Sequence, residues 1–266
     1  ILLYIKKRST VSKPISDFNQ PQPSPAYIEP QSTDEVIEMD KMRKSIAEHM
    51  RASLNTSAHV HLMNEVDMTH IVNYVELKGR EFKNREGFLL TYTPFIIHAC
   101  VKALKVYPAM NSSIEGTTIV RKKNINIGLA VAVESGLIVP VISNCEELNF
   151  LGLCRKVRDL SLRSRNKQIK PDELSGSTFS LSNFGVFDVI AGTPIINQPN
   201  VGILGVGTIK KKPVVIEFEG GDTIGIRQRM YLSLGFDHRL IDGAGASKFV
   251  KLVKTHLESI ELEHLL

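Results

Sequence analysis

The chain has 266 residues, of which 42% are apolar and 6% aromatic, a composition typical of a globular domain with a sizeable core. A net charge of +5 is too small for a nucleic-acid-binding footprint, and no apolar stretch is long enough to span a bilayer. The three cysteines lack CxxC spacing, which indicates neither a disulfide framework nor a zinc site and fits a reducing compartment. We therefore expect one substantial domain that holds no metal and binds neither nucleic acid nor a membrane.

The beginning of the chain differs in composition from the rest. Residues 1–8 (ILLYIKKR) have the pattern of the end of an amphipathic helix, and five prolines crowd into residues 14–30. Proline fixes φ and lacks an N–H donor, so such a stretch favours an extended spacer over helix or sheet. The pattern predicts a linker at residues 9–36 between an upstream folded unit and a globular domain at residues 37–266.

From residue 37 onward, helical and strand-like patterns interleave. Apolar residues at helical spacing predict five helices, at residues 42–54, 68–85, 93–106, 149–165 and 244–257. Alternating or β-branched runs predict strands at residues 59–67, 112–121, 125–133, 137–142, 178–181, 201–207 and 226–236. No internal repeat is visible, so the order of elements predicts an α+β domain with a mixed sheet.

The most informative stretch is residues 231–245 (YLSLGFDHRLIDGAG), in which a predicted strand ends on Asp237-His238-Arg239 and an Asp242-Gly243 turn leads into the last helix. A strand end beside a tight turn suits a side chain that must be held rigidly and still reach a pocket. The stretch resembles the HxxxDG signature shared by dihydrolipoyl acyltransferases and chloramphenicol acetyltransferases. Its longer DHRxxDG form points to the dihydrolipoyl branch.

For an isolated histidine, a structural role at a strand end would be the better interpretation, and the motif reverses this only for His238. The other seven histidines are interpreted as structural or surface residues. His98 lies in an apolar helix and is expected to be a core residue. His59 and His61 alternate in a way that could suggest metal ligands, but no third ligand is evident, so surface or channel positions are favoured.

A second segment supports the first. Residues 174–185 (LSGSTFSLSNFG) resemble the family's GGTFTxSN-type stretch, in which a serine or threonine faces the reacting carbonyl. Ser182 holds that position. Taken alone, Ser182 would be read as a residue that ends a strand before a turn, and the presence of His238 elsewhere in the chain favours the catalytic interpretation.

The chemistry of thiol acylation explains these residue types. A thiol with a pKa near about 8.5 is mostly protonated at neutral pH, so a base of similar pKa must remove its proton, and the resemblance makes His238 that base. One hydroxyl donor to the oxyanion contributes roughly 2.7–4 kcal/mol, the role that the resemblance gives to Ser182. Asp242 completes the catalytic set as a structural anchor rather than a proton carrier.

The resemblance also suggests structural support for the site. It implies an ion pair between Asp242 and an arginine near the N-terminus of the domain, for which Arg43 is the best match, with Arg239 as a competing candidate. Gly243 holds the glycine position of the signature. No residues are assigned to cofactor binding, and no metal ligands are assigned.

The similarity extends over about residues 39–257 and implies an α+β fold of the chloramphenicol acetyltransferase type, a mixed β-sheet flanked by helices that forms trimers. It implies that trimers build larger cores, and that His238 of one subunit meets Ser182 of its neighbour. Residues 1–8 would then be the end of a peripheral-subunit-binding domain. Coenzyme A would be a substrate, the lipoyl group would be carried on an upstream domain, and the dehydrogenase and dihydrolipoamide dehydrogenase components would be partners.

Several alternatives stay open at this point. Residues 82–88 (FKNREGF) and 121–126 (RKKNIN) slightly favour a branched-chain acyl group, while acetyl and succinyl groups are possible. Where many relatives have Pro-His-Val-Thr, this chain has residues 58–61 (AHVH), which leaves the acyl preference in doubt. A chloramphenicol-type O-acetyltransferase and a catalytically degenerate structural core are the alternative functions. The expected location is the cytoplasm, or the mitochondrial matrix in a eukaryote.

Overall fold

The computed structural model describes residues 30–134, 136–263 and 265. The predicted end of a peripheral domain at residues 1–8, and the linker up to residue 29, lie outside the described residues. The chain divides into a first unit, Ile1–Met39, and a second, Asp40–Leu266. In the first unit, a turn is closed by the backbone N–H of Gln31, which donates to the Asp34 carboxylate at 2.8 Å.

The second unit contains five α-helices and ten strands among the described residues. The helices are α1 (Lys41–Thr56), α2 (Thr69–Glu86), α3 (Thr93–Val106), α4 (Phe150–Arg165) and α5 (Gly243–Glu258). The strands are β1 (His59–Asp67), β2 (Ser112–Glu115), β3 (Thr118–Arg121), β4 (Ile127–Val133), β5 (Gly136–Ile138), β6 (Val141–Ile142), β7 (Phe179–Asn183), β8 (Gly202–Val206), β9 (Lys210–Ile216) and β10 (Thr223–Asp237). No described helix has both the length and the apolar character needed to cross a membrane.

Eight of these strands form one sheet in the order β1-β10-β8-β7-β4-β5, with β6 beside β4 and β9 beside β10. Strand β7 runs parallel to β4 and β8, whereas β10 runs antiparallel to β8 and β1. Strands β2 and β3 form a separate hairpin. The sheet is therefore mixed and is interleaved with helices along the chain, which confirms the predicted α+β class.

The core lies between the sheet and the helices α3 and α5, which pack on each other. Phe179 of β7 meets Phe249 of α5, with ring centroids 5.5 Å apart. Because side chains alternate along a strand, Phe179 and Leu181 of β7 face this core while Ser180 and Ser182 point to the opposite side. The side of the sheet away from α5 is thus available for polar groups.

The predicted elements are confirmed to within a few residues, with three differences. Strand β9 (KKKPVVI) was not predicted, because its lysines and Pro213 do not look like strand residues. It pairs only with β10, and an edge strand tolerates proline and charge. The run at 112–121 is a hairpin rather than one strand. The run at 137–142 is split into β5 and β6, with Pro140 between them.

Candidate active site

His238 directly follows the last residue of β10. Its backbone N–H donates to the carbonyl of Ala58 at 2.8 Å, which ties it to the start of β1. Its ring lies 5.9 Å from that of Phe236, and the residue is exposed on the surface of the single chain. No hydrogen bond to the ring is formed by any residue in the described part of the chain. The fold thus holds the backbone of His238 and leaves its imidazole accessible.

Asp237, the residue before His238, stabilises the turn in which His238 lies. Its carboxylate is 1% exposed and accepts hydrogen bonds from the backbone N–H groups of Ala58, at 3.2 Å, and Arg239, at 3.0 Å. The guanidinium of Arg239 binds the same carboxylate at 2.7 Å. Burial raises the pKa of Asp237, but hydrogen bonds from Arg239 and Ser57 outweigh it and hold the pKa below its ordinary value. A charged Asp237 therefore fixes the chain on both sides of His238.

Asp242 is the N-cap of α5, and its Oδ1 accepts from the N–H of Gly245 at 2.7 Å. Such a cap satisfies a backbone donor that the helix cannot satisfy itself. Gly245 needs to lack a side chain because the hydroxyl of Tyr107 occupies the place of its Cβ. Asp242 is exposed and anchors the helix start four residues after His238.

The arginines predicted to support Asp242 lie elsewhere within one chain. Arg239, weighed as its competing partner, binds Asp237 instead, because that carboxylate is buried two residues away in the same turn. Arg43 is exposed on α1, and no ion pair joins it to Asp242 among the residues described here. The pairing of Arg43 with Asp242 stays a prediction. Gly243 has open space around its Cβ position, and nothing in the structure explains a need for glycine there.

Ser182 lies near the end of β7, between Ala130 of β4 and Gly205 of β8. It is partly buried, and its hydroxyl has no hydrogen-bond partner within the described ranges. The next residue, Asn183, turns the chain because its side-chain oxygen accepts from the N–H of Gly185 at 2.9 Å. The hydroxyl of Ser182 is therefore free to donate to a ligand.

Ser182 lines a cavity of about 790 Å³. Its walls come from residues 88–94, β4, α4 and residues 182–187, and they are mainly apolar, with Leu129, Val131 and Val157 among them. Arg158 and Arg165 of α4 also line it, and they are the only charged residues among its described lining. A cavity of this size can hold a ligand as large as a cofactor.

His238 and Ser182 do not meet within one chain. In the sheet, Ser182 is level with Gly205 of β8, which is level with Ser233 of β10. His238 lies five residues beyond Ser233, and strand spacing then puts it about 20 Å from Ser182. The two residues stand near opposite ends of the sheet because β7 and β10 run antiparallel.

Three of the remaining histidines, His59, His61 and His98, have structural contacts. The N–H of Ile196 donates to Nε2 of His59 at 3.1 Å, and Nε2 of His61 lies 3.0 Å from the carbonyl of Pro194, so both hold the segment after β7. Burial lowers the pKa of His98 to about 4, and its ring packs on Phe150. Within the described ranges, no cluster of three or more metal-ligating side chains is present.

Sequence reasoning missed two features of this region. The DHRxxDG motif by itself gives Asp237 no separate task, although its place directly before the candidate base indicates that it positions that base. Arg158 and Arg165 lie in the helix predicted at residues 149–165, to which the sequence assigns no ligand. Their seven-residue spacing puts both on one helix face, but the sequence alone does not show that this face borders a cavity.

Comparison with protein families gives one match over most of the chain. Residues 31–265 match the model of the 2-oxoacid dehydrogenases acyltransferase catalytic domain. The succinyltransferase component of the Bacillus subtilis 2-oxoglutarate dehydrogenase complex is 37% identical over 245 residues, covering 91% of this chain and 57% of the relative. The acyltransferase component of the branched-chain alpha-keto acid dehydrogenase complex of B. subtilis is 37% identical over 242 residues, covering 91% and 56%. The chain thus spans a little over half the length of these relatives.

Two solved structures share the fold. A probable dihydrolipoamide acetyltransferase from Listeria monocytogenes superposes with a TM-score of 0.84 at 37% identity, covering 89% of this chain and 99% of that one. The dihydrolipoamide acetyltransferase of Azotobacter vinelandii gives a TM-score of 0.81 at 32% identity, covering 88% and 97%. The latter was studied for the roles of a serine, a histidine and an asparagine in its catalytic mechanism.

Proposed function

The chain belongs to the family of 2-oxoacid dehydrogenase acyltransferase catalytic domains, and from that premise we propose that it transfers an acyl group between a dihydrolipoyl thiol and coenzyme A. The observation that carries the proposal is the free hydroxyl of Ser182 on the wall of a large, mainly apolar cavity. A neutral donor in such surroundings can stabilise the oxyanion that forms when a thiol attacks a thioester.

In the proposed reaction, the imidazole of His238 removes the proton of the attacking thiol as its sulfur bonds to the thioester carbonyl carbon. Ser182 donates a hydrogen bond to the resulting oxyanion. Collapse of the tetrahedral intermediate breaks the other carbon–sulfur bond, and the imidazolium returns the proton to the departing sulfur. No covalent acyl-enzyme is needed, and the same groups serve the reverse direction.

The site that we propose is shared between subunits. His238 is exposed and lies about 20 Å from Ser182 in one chain, so one chain cannot place both groups on one carbonyl. A cyclic trimer would bring His238 of each subunit to Ser182 of the next by a repeated head-to-tail interface. A relative of known structure forms the cubic core of a pyruvate dehydrogenase complex, which supports assembly beyond the trimer.

The proposed task of Asp242 is to hold the start of α5. In the Azotobacter enzyme, the asparagine under study lies four residues after the histidine, the place that Asp242 has here. Asparagine and aspartate are comparably good N-caps, so a shared capping role needs no negative charge. We keep Arg43 as its proposed partner in the assembled protein.

For the acyl group we propose a branched chain, with acetyl and succinyl as competing possibilities. Relatives of both the succinyl and the branched-chain type match at the same identity. The segments 82–88 and 121–126 favour the branched-chain type, and the mainly apolar walls of the cavity that Ser182 lines suit an apolar acyl group. The proposed setting is a multienzyme complex in the cytoplasm, or in the matrix of a mitochondrion, with a lipoyl group carried upstream of this domain and with dehydrogenase partners.

The test is acyl exchange between dihydrolipoamide and acetyl-, isobutyryl- or succinyl-coenzyme A, with chloramphenicol as a rival acceptor. We expect exchange with dihydrolipoamide, fastest for isobutyryl, and its loss in His238→Ala. Ser182→Ala should lower kcat by about 10²–10³-fold. His70→Ala, an exposed histidine on α2, is the matched control and should keep full activity. Transfer to chloramphenicol alone, or an assembled protein with no transfer, would contradict the proposal.

A further inference from the structure

Residues 194–200, the part of the loop that leads from β7 into β8, are held by side chains of α1 and β1. The buried hydroxyl of Ser53 donates to the carbonyl of Ile196 at 2.6 Å. The N–H of Ile196 donates to Nε2 of His59 at 3.1 Å, so both backbone groups of this residue are bound. This part of the loop is therefore fixed against the end of α1 and the start of β1.

Gln198 joins this part of the loop to the last turn of α1. Its side-chain Nε2 donates to the hydroxyl of Ser57 at 2.8 Å and to that of Ser53 at 3.2 Å, which uses both N–H groups of the amide. Both serines are buried. Because water has little access to them, loss of the amide would leave their hydroxyl oxygens without this donor.

From Ser57, hydrogen bonds lead to the candidate base. The hydroxyl of Ser57 accepts from Gln198 and donates to the carboxylate of Asp237. The next residue, Ala58, donates its N–H to the same carboxylate at 3.2 Å and accepts from the N–H of His238 at 2.8 Å. Gln198 is thus connected to the backbone of His238 through two neighbouring residues, Ser57 and Ala58.

The position of the imidazole of His238 depends on this backbone. The residue is exposed, and no hydrogen bond holds its ring within the ranges that the structure describes. A catalytic group must be held within about 0.5 Å of its productive position, and an error of about 1 Å far from the chemistry can cost about 10²-fold in rate. A base with an unsupported ring therefore relies on the groups that fix its turn.

We propose that Gln198 and Ser57 are positioning residues for His238, which they hold in place through Ala58 and Asp237. They do not touch the reacting atoms. The task of His238 rests on the proposed acyltransferase function, whereas the path of hydrogen bonds rests on the contacts of the folded chain.

The first experiment measures kcat and KM of acyl exchange in the assembled protein. Gln198→Met keeps the length of the side chain and removes its N–H donors. Ser57→Thr and Ser57→Val form a matched pair, because threonine and valine have nearly the same shape and only threonine keeps a hydroxyl. Gln168→Ala, at an exposed position after α4, is the control.

We expect Gln198→Met and Ser57→Val each to lower kcat about tenfold, as for the loss of one hydrogen bond that the transition state needs. The KM for either thiol substrate should change by less than about twofold, because neither residue contacts a substrate. Ser57→Thr should keep several times the kcat of Ser57→Val, and Gln168→Ala should match the wild type.

A double variant tests whether the two residues act along one path. If they do, Gln198→Met combined with Ser57→Val should be about as slow as the slower single variant, whereas independent effects would multiply to about a hundredfold. A multiplied loss, a change in KM in place of kcat, or equal kcat values for Ser57→Thr and Ser57→Val would overturn the proposal. Should Gln198→Met fail to assemble, the pair at Ser57 decides alone.

Hydrogen–deuterium exchange separates this inference from the proposed function, because it needs no turnover. Exchange is followed by mass spectrometry in the peptide that contains residues 236–241, with α2 as the internal reference. In Gln198→Met and Ser57→Val, the amide of His238 should exchange about tenfold faster, while exchange in α2 stays as in the wild type. That result supports the path even if the wild type transfers no acyl group. Unchanged exchange at residues 236–241, or an equal increase in α2, would contradict it.

Discussion

Ser182 and His238 lie in surroundings that suit the different tasks proposed for them. Ser182 is partly buried beside apolar residues. Burying a neutral hydroxyl there has a small desolvation cost, and solvent screens its dipole poorly. His238 is exposed at a strand end, where water reaches the imidazole. A partly buried hydroxyl and an outward-facing imidazole fit the site between two chains that we propose.

At the residue scale, Asp237→Asn tests whether the carboxylate of Asp237 stabilises the turn at His238. The change removes the charge from a buried carboxylate that binds Arg239 and two backbone N–H groups. We expect the free energy of unfolding to fall by about 1.5–3 kcal/mol at neutral pH, measured by urea denaturation. Asp222→Asn, at an exposed position before β10, is the control and should change it by less than about 0.5 kcal/mol.

The difference in free energy of unfolding between the wild type and Asp237→Asn should depend on pH, with a definite sign. Because the pKa of Asp237 is lower in the folded chain, its contribution is fully present above the unfolded value of about 3.9. It is lost as the pH falls through the folded pKa. The difference in free energy of unfolding between the wild type and Asp237→Asn should therefore disappear on acidification below about pH 4. A gap that is independent of pH would show that the charge of Asp237 does not brace the turn.

At the scale of elements, the start of α5 depends on one side chain. Asp242→Ala removes the acceptor for the N–H of Gly245 and should lower the free energy of unfolding by about 1 kcal/mol, whereas Asp242→Asn should keep it within a few tenths. Both are compared by thermal unfolding together with kcat. If Asp242→Asn kept its stability but lost activity, the negative charge would be needed and the capping account would be wrong.

The elements were predictable where local pattern and tertiary role agree. The strand β1 and the helix α3 begin and end where the sequence predicts, because alternation and an apolar helical face report burial directly. Strand β9 was not predictable, since it is stabilised by its partner β10 rather than by burial of its own lysines. The sequence predicts surface or channel positions for His59 and His61, because it does not reveal the carbonyl and N–H groups that they contact.

At the scale of the whole molecule, the candidate site was predictable only as separate parts. The DHRxxDG motif identifies His238, and a serine before a turn identifies Ser182, because both depend on local sequence. Their distance depends on the strand order β10-β8-β7, which no local pattern contains. The cavity and the two arginines on its wall likewise arise only when α4 packs beside β4.

The most direct test of the central claim, that His238 and Ser182 act across a subunit boundary, is complementation between two inactive variants. His238→Ala and Ser182→Ala are mixed in equal amounts, dissociated and reassembled, and acyl exchange is measured. If each site takes its base from one subunit and its donor from the next, about one quarter of the sites regain both groups, and activity returns to about that fraction of wild type. Each variant treated alone should keep no more than about 1% of wild-type activity. No recovery in mixed assemblies would contradict the shared site.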